Sequence, residues 1–259
     1  MSRNFELMLQ AGRAPALDRS VTDTPAPAPA RPVDQPAAKD ATRRVSPLEV
    51  DPLAHEEALR LVQRLFSSQT QNAPRLVVFA AVDKGSGCSQ ICARVAEALP
   101  ANVRGSVCLV EANFRSPSLP ELFGTTNHFG LTDALLGQGP IRTFTRPLHT
   151  ENLWLLSSGS LTADSPSLLN SNRIKARFEE LRKEFDYTLV DAPPLSRYGD
   201  AVALGQLADG LVLVLEANST RRDVAQSVAA NLQAAKVRVL GAVLNKRTFP
   251  IPEALYRRF

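Results

Sequence analysis

The chain has little of what would anchor it in a bilayer, staple it covalently or hold a metal ion. No apolar run approaches the roughly 20 residues that a spanning helix needs. Residues Met1 to Ala11 carry Glu6 and no long apolar stretch, so the opening does not read as a signal peptide and a cytoplasmic protein is expected. Three cysteines, Cys88, Cys92 and Cys108, form too small and too odd a set for a disulfide framework and read as reduced thiols. Cys88 and Cys92 share a helical face, but His55, His128 and His149 stand at no ligand spacing to them, so thiols are preferred to a metal site. Charge is not concentrated either: the net +4 is spread along the chain, which favours a solvated surface over a nucleic-acid or membrane patch. No internal repeat is present.

What is there divides into three parts. Between Arg13 and Pro47 stand seven prolines and almost no large apolar residue. Such a segment buries too little surface to offset its ordering entropy, and residues 13–47 are expected to be a disordered linker. Ahead of it, within residues 1–12, Phe5, Met8 and Leu9 fall at helical spacing. A helix this short is marginal alone, which leaves a docking peptide that folds on a partner or a frayed end. Residues 48–259 alternate apolar runs with amphipathic ones.

That alternation predicts strands at Arg75–Ala81, Ser106–Val110, Leu153–Leu156, Tyr187–Val190, Gly210–Leu215 and Arg238–Leu244. Helices are expected at Leu53–Phe66, Ser89–Leu99, Leu131–Leu136, Ser167–Phe185, Ala201–Leu207 and Ser219–Lys236. Runs such as LVVFAA and LVLVLEA are apolar at every position, as strands covered on both faces must be. The fold class that follows is a doubly wound α/β domain with a mostly parallel sheet, its ligand at the carboxyl ends of the strands.

The residues at those ends carry the chemistry. After the first strand, Gly85, Ser86, Gly87, Cys88, Ser89 and Gln90 lead into a helix, the order in which backbone N–H groups cradle phosphate. The pattern G-x-x-x-x-G-K-[ST] nevertheless fails twice, with Val82 at the first glycine and Cys88 at the lysine. Glu111 and Asn113 follow the second strand, Asp191 follows YTLV, and Asn245, Lys246 and Arg247 follow the last. Asp191 and Ser89 are the natural holders of a magnesium ion, and the Asn245 amide suits a base edge. Cys88 to Arg94 also spells the C-x5-R spacing of phosphatases, but a helical setting would carry Arg94 up the helix instead of closing a loop.

From Glu56 to Arg247 the chain resembles the bacterial tyrosine kinases of capsular and exopolysaccharide assembly, a branch of the deviant-Walker P-loop NTPases. The resemblance rests on VVFAAVDKGSGCS, VCLVEANFRSPSLPELFG, GLTDALLGQ, LWLLSSGSLTADSPSLLNSNRI, FDYTLVDAPP, DAVALGQLADGLVLVLEANST and VLGAVLNK. It implies ATP or ADP with magnesium at Gly85 to Gln90, Asn245 and Arg247, with Ser89 and Asp191 on the metal. Catalytic carboxylates, if the protein is active, would be Asp191 and Glu111. It further implies a membrane-embedded chain-length regulator as partner, peripheral placement at the inner membrane face, and ring assembly through a first-helix motif that survives in part as Glu57 and Arg60.

The departures cluster where catalysis would sit. A thiol cannot supply the charge that a loop lysine puts on the β- and γ-phosphates. Asn113 replaces a carboxylate and Glu111 lengthens another. The family's tyrosine-rich tail is reduced to Tyr256, with Tyr187 and Tyr198 elsewhere. The leading expectation is a regulatory or scaffolding protein with a compromised phosphate site. An active tyrosine autokinase that recruits Lys84, and a partition-type positioning ATPase, stay open as alternatives.

Overall fold

Six consecutive apolar residues, Leu76–Ala81, form the central strand β1, and every one of them is buried. The computed structural model describes residues 52–66 and 73–247. The expected docking helix, the proline-rich linker and the tail with Tyr256 lie outside the described residues.

β1 belongs to a seven-stranded sheet with β2 (Val107–Glu111), β3 (Arg146–Pro147), β4 (Leu153–Leu156), β5 (Tyr187–Asp191), β6 (Gly210–Glu216) and β7 (Val239–Asn245). Their order is β3-β4-β2-β5-β1-β6-β7. Every neighbouring pair is parallel except β3 with β4. The expected doubly wound parallel sheet is therefore the observed one.

Alternation along the strands sends side chains to two layers. Leu76, Val78 and Ala80 of β1 face one cluster with Cys108 and Val110 of β2; Val77 and Phe79 face the other with Val107 and Leu109. The first layer is covered by α4 (Leu131–Leu136), α5 (Asn172–Glu184), α6 (Asp200–Leu207) and α7 (Arg222–Ala234). The second is covered by α1 (Pro52–Phe66), α2 (Cys88–Ala98) and the short α3 (Leu119–Leu122). Burying each large apolar side chain contributes about 1.5–3 kcal/mol, so the fully apolar central strands anchor both layers.

The structure corrects one long element. The helix expected over Ser167–Phe185 is broken into a 3-10 turn, Ser165–Asn170, and α5. Ser171 is extended, with φ −87° and ψ 159°, and its hydroxyl donates back to the Leu168 carbonyl at 2.6 Å, ending the turn before α5 begins. Asn170 is meanwhile drawn to Asp200 of α6 at 3.2 Å, a contact that no helical periodicity encodes. The expected helix from Ser219 likewise starts only at Arg222, after a turn in which the Glu216 N–H donates to Thr220 Oγ1 at 3.0 Å.

Candidate phosphate-binding site

The segment Val82–Gly87 carries the chain from β1 into α2. Val82 is buried; its N–H donates to the Val214 carbonyl at 3.0 Å, and its own carbonyl accepts from Ser196 N at 3.0 Å. The valine at the first glycine position thus ties the loop's base to β6 and to the segment after β5. Gly85 and Gly87 have φ of 91° and 81°, the left-handed region that favours glycine. At Gly87 space matters too, because an added Cβ would lie 2.4 Å from Asn245 Nδ2. Ser86 is buried and donates from Oγ to the Asp83 carbonyl at 2.9 Å. The N–H groups of Gly85, Gly87, Cys88 and Ser89 have no acceptor among the described residues. A loop and first helical turn with unspent amides form a cradle for an anion.

Parallel register sets Glu111 beside Asp191, and both are fully buried. Ser89 Oγ donates to Asp191 Oδ2 at 2.5 Å, while Asp191 Oδ1 is buried with no hydrogen-bond partner. Burial raises the Asp191 carboxyl to about 6, against the lowering pull of its Ser89 hydrogen bond and of the nearby Cys88 and Glu111 side chains. Glu111 is also raised well above the usual carboxylate range, by burial first and by Asp191 second. Its oxygens are nonetheless occupied: Oε2 accepts the N–H groups of Ser118 and Leu119, each at 2.8 Å, and Oε1 that of Asn113 at 3.3 Å. Glu111 braces the β2–α3 turn, and the Asn113 amide oxygen beside it is buried without a partner.

An orphaned carboxylate oxygen next to a serine hydroxyl fits a magnesium ion, which takes one or two protein oxygens and completes its shell with water and phosphate. Ser89 and Asp191 would hold it, and when bound it would neutralise phosphate charge.

Cys88 opens α2 and is half-buried. Burial, then Asp191, then Cys92 push its thiol well above the ordinary range, so at neutral pH it is neither cation nor thiolate. Arg94 lies on the same helix, about 9 Å along its axis at 1.5 Å per residue, which does not form a phosphatase loop. Gln90 is exposed in the first turn of α2, and Arg247 is exposed just past β7. Lys84 is exposed and makes no hydrogen bond or ion pair among the described residues.

Asn245 does reach the loop, but as a tie: its Nδ2 donates to the Ser86 carbonyl at 2.8 Å. Beside it Lys246 Nζ donates to the Gly85 carbonyl at 2.7 Å and pairs with Glu216 at 3.1 Å. Sequence reasoning placed Lys246 at a strand end without giving it a role and passed over Glu216. The signal that pointed to them was position alone, since β6 and β7 end on the same side of the sheet as the loop.

The other singled-out residues lie away from this cradle or serve packing. Arg60 pairs with Glu57 at 2.8 Å and with Glu56 at 2.6 Å, all exposed on α1. Tyr187 packs edge-on against Phe66, with centroids 5.6 Å apart. Tyr198 lies under the Arg115 guanidinium, 3.8 Å from its ring centroid, and Arg115 pairs with Asp200 at 3.2 Å.

No family profile matches this chain. It is 31% identical over 139 residues to the tyrosine-protein kinase YwqD of Bacillus subtilis, covering 54% of this chain and 59% of that protein. It is 28% identical over 194 residues to the tyrosine-protein kinase Wzc of Salmonella typhimurium, covering 74% of this chain and 27% of the relative. The chain therefore spans less than two thirds of the length of either. Among solved structures, the kinase domain of the Escherichia coli tyrosine kinase ETK superposes with a TM-score of 0.69 at 20% identity, over 76% of this chain and 78% of that one. The septum site-determining protein MinD of Pyrococcus horikoshii, complexed with Mg-ADP, superposes with a TM-score of 0.57 at 20% identity, over 71% and 76%. These two likenesses bear on the fold.

Proposed function

Because the chain belongs to the bacterial tyrosine-kinase family, we propose that it is a regulatory or scaffolding P-loop protein of capsule or exopolysaccharide assembly that binds ADP or ATP with magnesium but turns it over weakly or not at all. It acts at the inner face of the membrane, recruited by a membrane-embedded chain-length regulator. The observation that carries the reading is a cradle retained without its charge. The loop amides are unspent, and Asp191 holds Ser89 with one oxygen and leaves the other orphaned. At the lysine position stands a neutral, half-buried thiol.

Backbone N–H groups bind phosphate in the ground state as well as in the transition state. A side-chain cation that follows developing charge is what raises the rate. Its loss weakens binding moderately and catalysis severely. No helix among the described residues is long and apolar enough to cross a membrane. YwqD and Wzc are named as tyrosine-protein kinases, and the matched stretch covers 59% of the first and 27% of the second.

The test is calorimetric titration with Mg·ADP and Mg·ATP, beside a Cys88→Lys variant. The unmodified chain is expected to bind without turnover, and the variant to bind about ten- to a hundredfold more tightly, the worth of a hydrogen bond to a charged group. ATP hydrolysis or tyrosine autophosphorylation by the unmodified chain would sink the proposal in favour of an active autokinase.

A further inference from the structure

Two side chains at the end of β7 reach the phosphate loop from about 160 residues away in sequence. Asn245 Nδ2 holds the Ser86 carbonyl at 2.8 Å, and Lys246 Nζ holds the Gly85 carbonyl at 2.7 Å. The rim they stand on is itself tied: Lys246 pairs with Glu216 at 3.1 Å, and Ala217 N donates to the Asn245 carbonyl at 2.9 Å. Lys246 has φ 55°, a left-handed conformation that a lysine adopts at a cost and that persists only where its surroundings enforce it.

The geometry has a directional consequence for the loop. A trans peptide points its C=O and N–H in opposite directions, and the described chain has no cis peptide. Holding the Gly85 and Ser86 carbonyls toward β7 therefore turns the next N–H groups, those of Ser86 and Gly87, away from it. An ammonium on a carbonyl also polarises that peptide and strengthens its N–H as a donor.

We propose that Asn245 and Lys246 form a clamp behind the loop that presets its amides for the phosphate chain of a nucleotide, with Lys246 supplying from behind the positive charge that Cys88 lacks. The nucleotide half of this rests on the proposed function; the clamp on the loop does not. Lys84, the cation nearest in sequence, has no tie to the loop among the described residues, whereas Lys246 is already fastened to it. Both clamp residues are positioning residues acting through the backbone.

Two measurements separate the halves. In ligand-free protein, 15N relaxation at Gly85, Ser86 and Gly87 reads the clamp directly. Lys246→Met is expected to lower their order parameters from the about 0.85 of rigid backbone toward the about 0.6 of a flexible loop, without moving those of β1. Lys246→Arg is expected to restore most of the loss. Titration with Mg·ADP then reads the charge: about tenfold weaker binding is expected in Lys246→Met, as for a lost hydrogen bond to a charged group. Glu216→Gln, which removes the carboxylate sharing the ammonium, is expected to tighten binding about twofold to fivefold, the scale of an exposed ion pair. A loop that stays rigid in Lys246→Met overturns the clamp. A loop that loosens while Mg·ADP binds as before overturns the charge role. If the loop loosens and even the parent chain fails to bind Mg·ADP, the clamp stands and the nucleotide reading falls.

Discussion

Asp191 is fully buried with one oxygen unpartnered, and its carboxyl titrates near 6 where an ordinary aspartate titrates near 3.8. A raised carboxyl means that between about pH 4 and 6 the folded chain holds a proton that the unfolded chain has released. Stability conferred by that proton is present at the acid end of the window and is lost as pH rises through it. An Asp191→Asn variant, with no proton to lose, is expected to gain on the parent between about pH 4.5 and 7.5, by about 2 kcal/mol. Thermal unfolding at the two pH values checks this, and a margin that does not grow with pH would count against it. The same variant is expected to lose the magnesium dependence of ADP binding. Glu111 beside it is different in kind: it was a legible candidate as a strand-end carboxylate, yet its oxygens are occupied by three backbone N–H groups. Nothing in the sequence distinguishes an acid left with an unpartnered oxygen from one whose oxygens are spent on its own chain.

Individual elements show how far periodicity reaches. β1, β2 and β6 were legible because covered strands are apolar throughout, and α1 because its apolar positions recur at helical spacing. The Ser165–Asn170 turn and the two-residue β3 were not, since neither has a period long enough to register. The junction of α4 with α5 rests on a residue that pattern alone assigns to solvent. Arg177 is 8% exposed and donates from Nε to Ala134 O at 2.8 Å, from Nη1 to Gly139 O at 2.8 Å and from Nη2 to Gly137 O at 3.2 Å. It also pairs with Glu180 at 2.7 Å. A cation there satisfies carbonyls that the end of a short helix leaves open. Arg177→Met is expected to cost on the order of 3 kcal/mol or more, because buried acceptors and a carboxylate would lose their partner. Urea unfolding would show it; a loss under about 0.5 kcal/mol, typical of a surface site, would mean that these contacts do not fasten the two helices.

For the molecule as a whole, the proposed role requires attachment to a partner. Phe5, Met8 and Leu9 are the recruitment segment in this reading, so a chain lacking Met1–Gln10 is expected to bind Mg·ADP like the parent and to lose co-purification with the membrane-embedded regulator. Undiminished recruitment would reassign docking to the folded domain.

What the sequence by itself determined is local or repeating: the class of fold, the position of the glycine-containing loop, and a cysteine, Cys88, at the position where the P-loop pattern has lysine. These depend on side-chain period and on residues adjacent in the chain. The tertiary structure alone decided which strand ends meet. Strand order set Glu111 beside Asp191, and the ends of β6 and β7 brought Glu216, Asn245 and Lys246 to the back of the loop. Their pairing follows from sheet order and strand register, which no single segment encodes, so the loop's candidate substitute cation was found only where the chain folds back upon it.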